Sequence, residues 1–202
     1  MTRLNVNPTR MELKKLKARL ATATRGHKLL KDKSDEMVRQ FTGLVKQNIK
    51  LREEVERELG TTLQSFSIAR SVTPVYRAET AFAMPTTSIT AACEQGCIMG
   101  VDVPKISIKG KAEGGLPYAF PEMTSEADAA VKQATGLLPK MLELAQIEKT
   151  VRLLAAEIER NKRRVNALEY VMIPQLEETI AYITSKLDEN ERAAIIRLMK
   201  VN

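Results

Sequence analysis

The chain has 202 residues, of which 44% are apolar, 28% are charged and only 4% are aromatic, with no tryptophan. This composition is typical of long helices and coiled coils, and it argues against a compact core built on aromatic side chains. The formal net charge is +7, and residues 1–33 alone hold ten Lys or Arg against two acidic residues, which predicts an acidic partner for that end.

No apolar run reaches the roughly 18 residues of a membrane-spanning helix, and the N-terminus lacks the apolar stretch of a signal peptide. The two cysteines, Cys93 and Cys97, provide no disulfide framework and fit a reducing compartment. We therefore expect a cytoplasmic protein without direct membrane insertion.

The first predicted segment, residues 1–70, consists mainly of a long N-terminal helix. Its apolar residues recur in alternating steps of three and four, a heptad repeat that predicts a buried stripe, here called the seam. The seam of this helix comprises Leu13, Leu16, Leu20, Ala23, His27, Leu30, Ser34, Met37, Phe41, Leu44, Asn48, Leu51 and Val55. Because polar seam residues often fix register, we expect that role for His27.

The ends of this helix carry their own signals. Asn7 is predicted as the N-cap, with Pro8 in the first helical position. Beyond residue 55 the apolar spacing slips, which resembles a stutter and predicts local unwinding. The slipped positions are Leu59, Leu63 and Phe66. Pro74 is expected to end or kink the helix.

The middle segment, residues 71–124, predicts a small β-hairpin. The stretch TTSITAACEQGCIMGVDVPKISI is rich in Thr, Ile and Val, with Glu94–Gly96 as the turn and Pro104 limiting one strand. Cys93 and Cys97 are two ligands short of a zinc site, and KGKAEGG lacks the spacing of a phosphate-binding loop. Ordinary hairpin and loop positions are the favoured interpretation of both.

The second long helix fills residues 125–202. Ser125 with Asp128 three residues later predicts a capping box, and Pro139 is expected to kink the helix or to start a new segment. Asn161 joins the seam as a polar member and is expected to limit register. The other predicted seam residues are Leu144, Ile147, Val151, Leu154, Ile158, Val165, Leu168, Met172, Leu176, Ile180, Ile183, Leu187, Asn190 and Ala194.

Two features interrupt this second seam. Pro174 removes one helix hydrogen bond, and because the apolar phase resumes at Leu176, a kink is favoured over a helix end. Just before it, Arg160, Arg163 and Arg164 flank the seam. A solvated face, a contact with another protein subunit and a nucleic-acid contact are all open for these arginines, although sparse aromatics disfavour nucleic acid.

Neither helix is stable alone in water, because its apolar stripe would be exposed. The simplest fold is therefore all-α dominated, a long two-helix antiparallel coiled coil formed by the N- and C-terminal arms, with the β-hairpin between them. A single histidine, His27, and the absence of catalytic and nucleotide-binding motifs predict a protein that is not an enzyme and has no cofactor or metal site.

Two long blocks, Arg3–Phe41 and Arg163–Ile183, closely resemble the D subunit of the V-type (A/V-type) rotary ATPases of bacteria and archaea. The first reads RLNVNPTRMELKKLKARLATATRGHKLLKDKSDEMVRQF and the second RRVNALEYVMIPQLEETIAYI. The resemblance covers both arms, whereas the middle segment matches only in general character.

This resemblance implies a non-catalytic rotor subunit in the central stalk of a complex that hydrolyses or makes ATP and translocates protons or sodium. The implied partners are the hexamer of catalytic and nucleotide-binding subunits, the F subunit of the stalk, and a socket subunit that leads to the membrane ring. The termini would enter the hexamer, where Lys14, Lys15, Lys17 and Arg19 are expected to face acidic loops. Arg160, Arg163 and Arg164 are the other candidate subunit contacts.

Two other functions share this physics. A coiled-coil adaptor or secretion-stalk protein would need the same helix pair without ATPase coupling. A basic, nucleic-acid-binding coiled coil would use the excess of positive charge, and its retention on nucleic acid would weaken steeply with salt.

Overall fold

The computed structural model describes residues 4–83, 89–109, 118 and 125–201. Its elements are the helices α1 (Arg10–Val72) and α2 (Val75–Phe82), the strands β1 (Thr90–Ile98) and β2 (Val101–Lys109), and the helix α3 (Ser125–Ala167). A π-helical turn (Leu168–Met172) then leads into α4 (Ile173–Val201). The helix-dominated fold, with long helices toward both ends and a small antiparallel hairpin between them, is confirmed. Residues 110–115 of the glycine-rich stretch lie outside the described residues.

Helix α1 begins two residues later than predicted, at Arg10 instead of Pro8. The Thr9 side-chain oxygen accepts a hydrogen bond of 3.2 Å from the Glu12 N–H, and its carbonyl accepts one of 3.0 Å from Leu13. Thr9 is therefore the N-cap, and the prediction of Asn7 as the cap with Pro8 inside the helix was wrong. Thr followed three residues later by Glu is itself an N-terminal signal, and it lies closer to the first buried seam position.

The chain divides into two compact units, the first formed by Met1–Val38 and Glu157–Asn202. Within it, α1 runs antiparallel to the C-terminal helices, because Arg10 contacts Glu191 and His27 contacts Glu169. The buried cluster of this unit comprises Leu16, Ala23, Leu176 and Ile183. Partly buried apolar residues packed around it are Leu4, Leu13, Leu20, Ile173, Ile180 and Leu187.

The second unit, Arg39–Ala156, pairs the rest of α1 with α3. The direction is again antiparallel, since Arg52 lies 3.5 Å from Glu148 and the Ser65 hydroxyl lies 3.4 Å from the Gln133 side-chain oxygen. The buried α1 residues of this unit are Val55, Thr62 and Ala69, each seven residues after the last. The heptad therefore continues, and the predicted slip was wrong.

The hairpin turn lies at Met99 and Gly100, both with positive φ (53° and 84°), rather than at Glu94–Gly96, which is part of β1. Pro104 lies inside β2, opposite Gln95, and does not end the strand. The strand tolerates this proline because a backbone N–H at its position would face away from β1. Ile106, two residues later, shows this direction, since its N–H donates to the Gln146 side chain on α3 at 2.7 Å. Residues two apart in a strand share an orientation, so the missing N–H of Pro104 also faces away from β1.

The prolines have different outcomes. The helix break at Pro74 is confirmed, because α1 ends at Val72 and Pro74 caps the short α2, which the sequence pattern had not predicted. Pro139 lies inside α3 without interrupting it, so neither a new segment nor a helix boundary occurs there. Helix α3 is described from Ser125 onward, and the capping box of Ser125 with Asp128 stays a prediction. Asp128 accepts a hydrogen bond from the Tyr118 hydroxyl.

Candidate functional site: the seam and its exposed faces

The candidate site of this chain is the pair of interfaces along α1, together with the faces left exposed beside them. Buried members of the predicted seam are Leu16, Ala23, Met37, Val55, Leu154, Asn161, Leu176 and Ile183. Partly buried ones are Leu13, Leu20, His27, Leu30, Phe41, Leu44, Leu51, Val151, Ile158, Val165, Leu168 and Leu187. The side chains that alternate three and four residues apart therefore share the contact face.

Among the predicted seam residues, Asn190 and Ala194 near the end of α4 are exposed, and so is Met172. Its side chain is 40% exposed, whereas Ile173, one residue later, packs on the buried cluster of the first unit. The π-helical turn explains the difference, because its wider hydrogen bond, from the Ile173 N–H to the Leu168 carbonyl, accommodates one extra residue. Met172 as a seam residue is thus corrected to Ile173.

Pro174 accounts for the location of this turn. Its ring lacks an N–H and would clash with the carbonyl of Tyr170 in a regular α-helix. The π-helical turn ends at Met172, two residues before the proline, and α4 begins at Ile173. The phase change that the sequence placed near Pro174 is therefore a one-residue insertion within a helix that continues past the proline.

Two polar seam residues have partners on the opposite helix. The His27 ring nitrogen Nε2 lies 3.3 Å from Oε2 of Glu169, within the π-helical turn. Asn161 is only 2% exposed, and its amide nitrogen lies 3.4 Å from the sulfur of Met37. Sulfur is a weak acceptor, so this contact holds the amide with little of the strength of an oxygen partner. Both contacts join α1 to the C-terminal helices at one register.

The predicted basic contacts of α1 all lie on the surface. Lys14, Lys15, Lys17 and Arg19 are exposed, and Lys15 forms an ion pair of 2.8 Å with Glu12. Lys14, Lys17 and Arg19 have no ion-pair partner among the residues that the structure describes. Three of the four charges are therefore available to another molecule.

The predicted arginine contacts on α3 also differ in whether their charge is already paired. Arg160 pairs with Glu157 at 3.5 Å, and Arg163 pairs with Glu159 on its own helix. Arg164 is exposed and has no ion pair within the described part of the chain. Of the three, Arg164 is the one whose charge is left unneutralised by its own helix.

Sequence reasoning missed an apolar groove of about 300 Å³ between the end of α1 and α2. Phe66, Val75 and Phe82 line it and are partly exposed, while Thr73 lies at its base, 6% exposed. The Thr73 hydroxyl has no hydrogen-bond partner among the described atoms. The groove could not be found from the pattern because α2 itself was not predicted.

Tyr118 ties this region to α3. Its ring contacts Phe82 with centroids 5.3 Å apart, and its hydroxyl donates to Asp128. Burial, with this hydrogen bond to a carboxylate, raises the pKa of Tyr118 above its ordinary value. The tyrosine is therefore neutral at physiological pH and acts as a packing and hydrogen-bonding anchor for the end of α2.

Chemistry-bearing groups are sparse in the described ranges. Cys93 and Cys97 are exposed free thiols on β1, and within residues 4–83, 89–109, 118 and 125–201 no group of three potential metal ligands comes together. In the same ranges no helix has the length and apolarity needed to cross a membrane.

Comparison with known proteins identifies the family of the chain. The family described as the D subunit of ATP synthase matches residues 12–202. A V-type ATP synthase D subunit from Clostridium botulinum is 53% identical over 203 residues, covering 98% of this chain and 94% of its own length. The protein of the same name from Thermoanaerobacter pseudethanolicus is 53% identical over 202 residues, covering 100% and 97%. The chain therefore belongs to the family of ATP synthase D subunits.

Proposed function

We propose that this protein is the non-catalytic central-stalk subunit of a V-type ATP synthase and transmits torque between the ATP-hydrolysing or ATP-making hexamer and the ion-translocating membrane ring. The observation that carries the proposal is the phase-locked antiparallel seam in a chain of this family. Sliding one helix along the other would unpair Leu16, Leu176 and Ile183 together, so the pair resists slippage under load.

The partners follow from the exposed faces. Lys14, Lys17 and Arg19 are free to meet acidic loops of the surrounding hexamer of catalytic and nucleotide-binding subunits, and Arg164 is a further candidate contact. The F subunit of the stalk is proposed to bind along the helix pair. The protein would then be peripheral to the membrane as part of the complex, on its cytoplasmic side.

The groove between α1 and α2 is proposed to contact the socket subunit that leads to the membrane ring. It offers exposed apolar side chains at Phe66, Val75 and Phe82, and at Thr73 a hydroxyl without a partner among the described atoms. Contiguous exposed apolar surface rimmed by polar groups is typical of protein contacts. The neighbouring Arg70 and Glu79 supply that rim.

Purification of the tagged protein from its native cells tests the proposal. Retention of the ATP-hydrolysing subunits through a salt wash is the expected result, whereas recovery of the chain without them contradicts it. In the reconstituted complex, the quadruple change of Lys14, Lys15, Lys17 and Arg19 to Gln is expected to weaken hexamer assembly, most strongly at low salt. Equal assembly at low salt would remove these residues from the proposed contact.

A second measurement addresses torque. Complexes containing Ile183→Ala are expected to retain ATP hydrolysis but to lose part of its coupling to ion transport, because the helix pair yields under load. Uncoupling that is no greater than with the exposed-site change Ile195→Ala would contradict a role in torque transmission.

A further inference from the structure

The π-helical turn places three consecutive large apolar side chains on the surface. Tyr170 is 64% exposed, Val171 52% and Met172 40%. Single exposed apolar residues are common on soluble proteins, but Val171 and Met172 line the same pocket, and neighbouring exposed apolar side chains of this kind indicate a contact surface. These three residues are called the π-turn knob below.

A small pocket lies beside this knob, within the unit formed by the two chain ends. Its volume is about 250 Å³, and its lining includes Leu4, Arg19, Val171, Met172, Gln175 and Leu176. This volume is below the roughly 300–1,000 Å³ of sites for small-molecule ligands, and it suits a single side chain from another protein. Its walls are largely apolar, with one cation at the edge.

The insertion produces both features. Without the extra residue, the heptad would carry position 172 into the seam, where Met172 would be buried against α1. The π turn instead places Ile173 in the buried cluster and leaves Met172 beside the pocket. Helix π-bulges occur frequently at functional sites. Here the bulge leaves a methionine exposed that a regular heptad would bury.

The charges around the pocket select its occupant. Arg19 has no ion-pair partner in the described part of the chain, and the carboxylate within the turn, Glu169, is engaged by His27 at 3.3 Å. Arg19 is the charged residue of the pocket lining, whereas Lys14 and Lys17 add exposed positive charge elsewhere on the same stretch of α1. The pocket edge is therefore positive, which favours an acidic partner.

We propose that the π-turn knob is the docking site for a loop of a neighbouring subunit that carries an acidic residue beside a large apolar one. The apolar side chain enters the pocket between Leu4, Met172 and Leu176, and the carboxylate pairs with Arg19. This inference rests on the proposed function, since it takes the neighbour to be a subunit that surrounds the helix pair in the assembled ATPase.

Assembly of the complex from purified subunits tests the knob. Met172→Asp is expected to weaken assembly about tenfold or more, because an aspartate in the pocket repels the incoming carboxylate and removes the apolar contact. Arg19→Glu should have a similar effect that diminishes with added salt. The matched control is Leu29→Asp, which replaces a residue that is 70% exposed in the same unit and should leave assembly within about twofold.

A photo-crosslinking amino acid at position 172 identifies the occupant in the assembled complex. The expected crosslinked peptide comes from a hexamer subunit and contains an acidic residue next to a large apolar one. Crosslinking to a peptide without an acidic residue, or equal assembly of Met172→Asp and wild type, overturns the inference while leaving the proposed function intact. If the wild-type chain itself does not assemble with the ATPase subunits, both the proposed function and the docking role of the π-turn knob are contradicted.

Discussion

Deleting Met172 tests the interpretation of the π-helical turn as a one-residue insertion. Leu168 and Leu176 are eight residues apart, whereas Leu154 and Asn161, like Leu176 and Ile183, are seven apart. Deletion therefore restores an uninterrupted heptad across the turn. Pro174 would then lie inside a regular α-helix, where proline costs about 3 kcal/mol through a lost hydrogen bond and a steric clash.

The expected result is a strongly non-additive pair of changes. Pro174→Ala alone should alter the free energy of unfolding by less than about 1 kcal/mol, because the π-helical turn remains in place. The seam residues before and after the turn face α1 only when the extra residue is present. The Met172 deletion alone should lose about 3 kcal/mol, and the combined variant should recover most of that loss. Urea unfolding of the isolated protein, followed by far-ultraviolet circular dichroism, measures all four proteins.

Additive effects, or a deletion that is equally harmful with proline and with alanine at position 174, would refute the reasoning. Either outcome would mean that the turn holds the helices by contacts other than register. The combined variant has a second use, because it retains a continuous seam but lacks the π-turn knob. It should therefore unfold like the wild type and still assemble poorly with the neighbouring subunits.

Three further predictions concern the seam and its ion pairs. Ile183→Ala should lower the free energy of unfolding by about 2–5 kcal/mol, since the side chain is fully buried, whereas Ile195→Ala, at a 51% exposed site, should stay within about 0.5 kcal/mol in the same urea titration. Asn161→Leu should leave stability unchanged or increased but permit additional helix registers, detected by inter-helix disulfide crosslinking; one unchanged register would contradict the role of Asn161. Lys140→Met should lower the urea midpoint only slightly, and less at high salt, because its partners are partly exposed. The hydrogen bond from Lys140 holds the pKa of Glu54 below its ordinary value. The stabilisation by this pair is therefore fully present above the ordinary carboxylate pKa of about 4.3 and is lost as the pH falls through the lowered pKa. An effect of Lys140→Met that does not change with pH would contradict this reasoning.

The two long helices and their pairing could be predicted because the signal is repeated many times. Each seam position is weak evidence alone, but alternating steps of three and four sustained from Leu13 to Val55 are incompatible with a strand or a loop. The break at Pro74 was likewise predictable, since proline cannot continue a hydrogen-bonded helix. Patterns that rest on one or two residues were less informative. Glu94–Gly96 resembles a turn by composition, yet the turn lies at Met99 and Gly100.

The candidate site was less accessible to sequence reasoning, because it depends on a shift of a single residue. The sequence shows that the seam changes phase near Pro174, but an abrupt kink and a π-helical insertion give the same spacing of apolar residues. Only the backbone decides that Met172 turns outward and Ile173 inward. The small pocket beside Arg19 is equally hidden, since Leu4 and Gln175 carry no recognisable motif.

Buried threonines explain why the predicted slip near residue 59 was wrong. The hydroxyl of Thr62 donates to the Glu58 carbonyl at 2.8 Å, and Thr150 and Thr179 make the same bond to the carbonyls four residues earlier. Because each hydroxyl is satisfied by its own helix, threonine occupies the seam without an unpaired polar group. A pattern that counts only apolar residues skips Thr62 and selects Leu63, which is 57% exposed. Allowing threonine at the seam restores an unbroken heptad through Ala69, so the continuity of the first helix was encoded in the sequence after all.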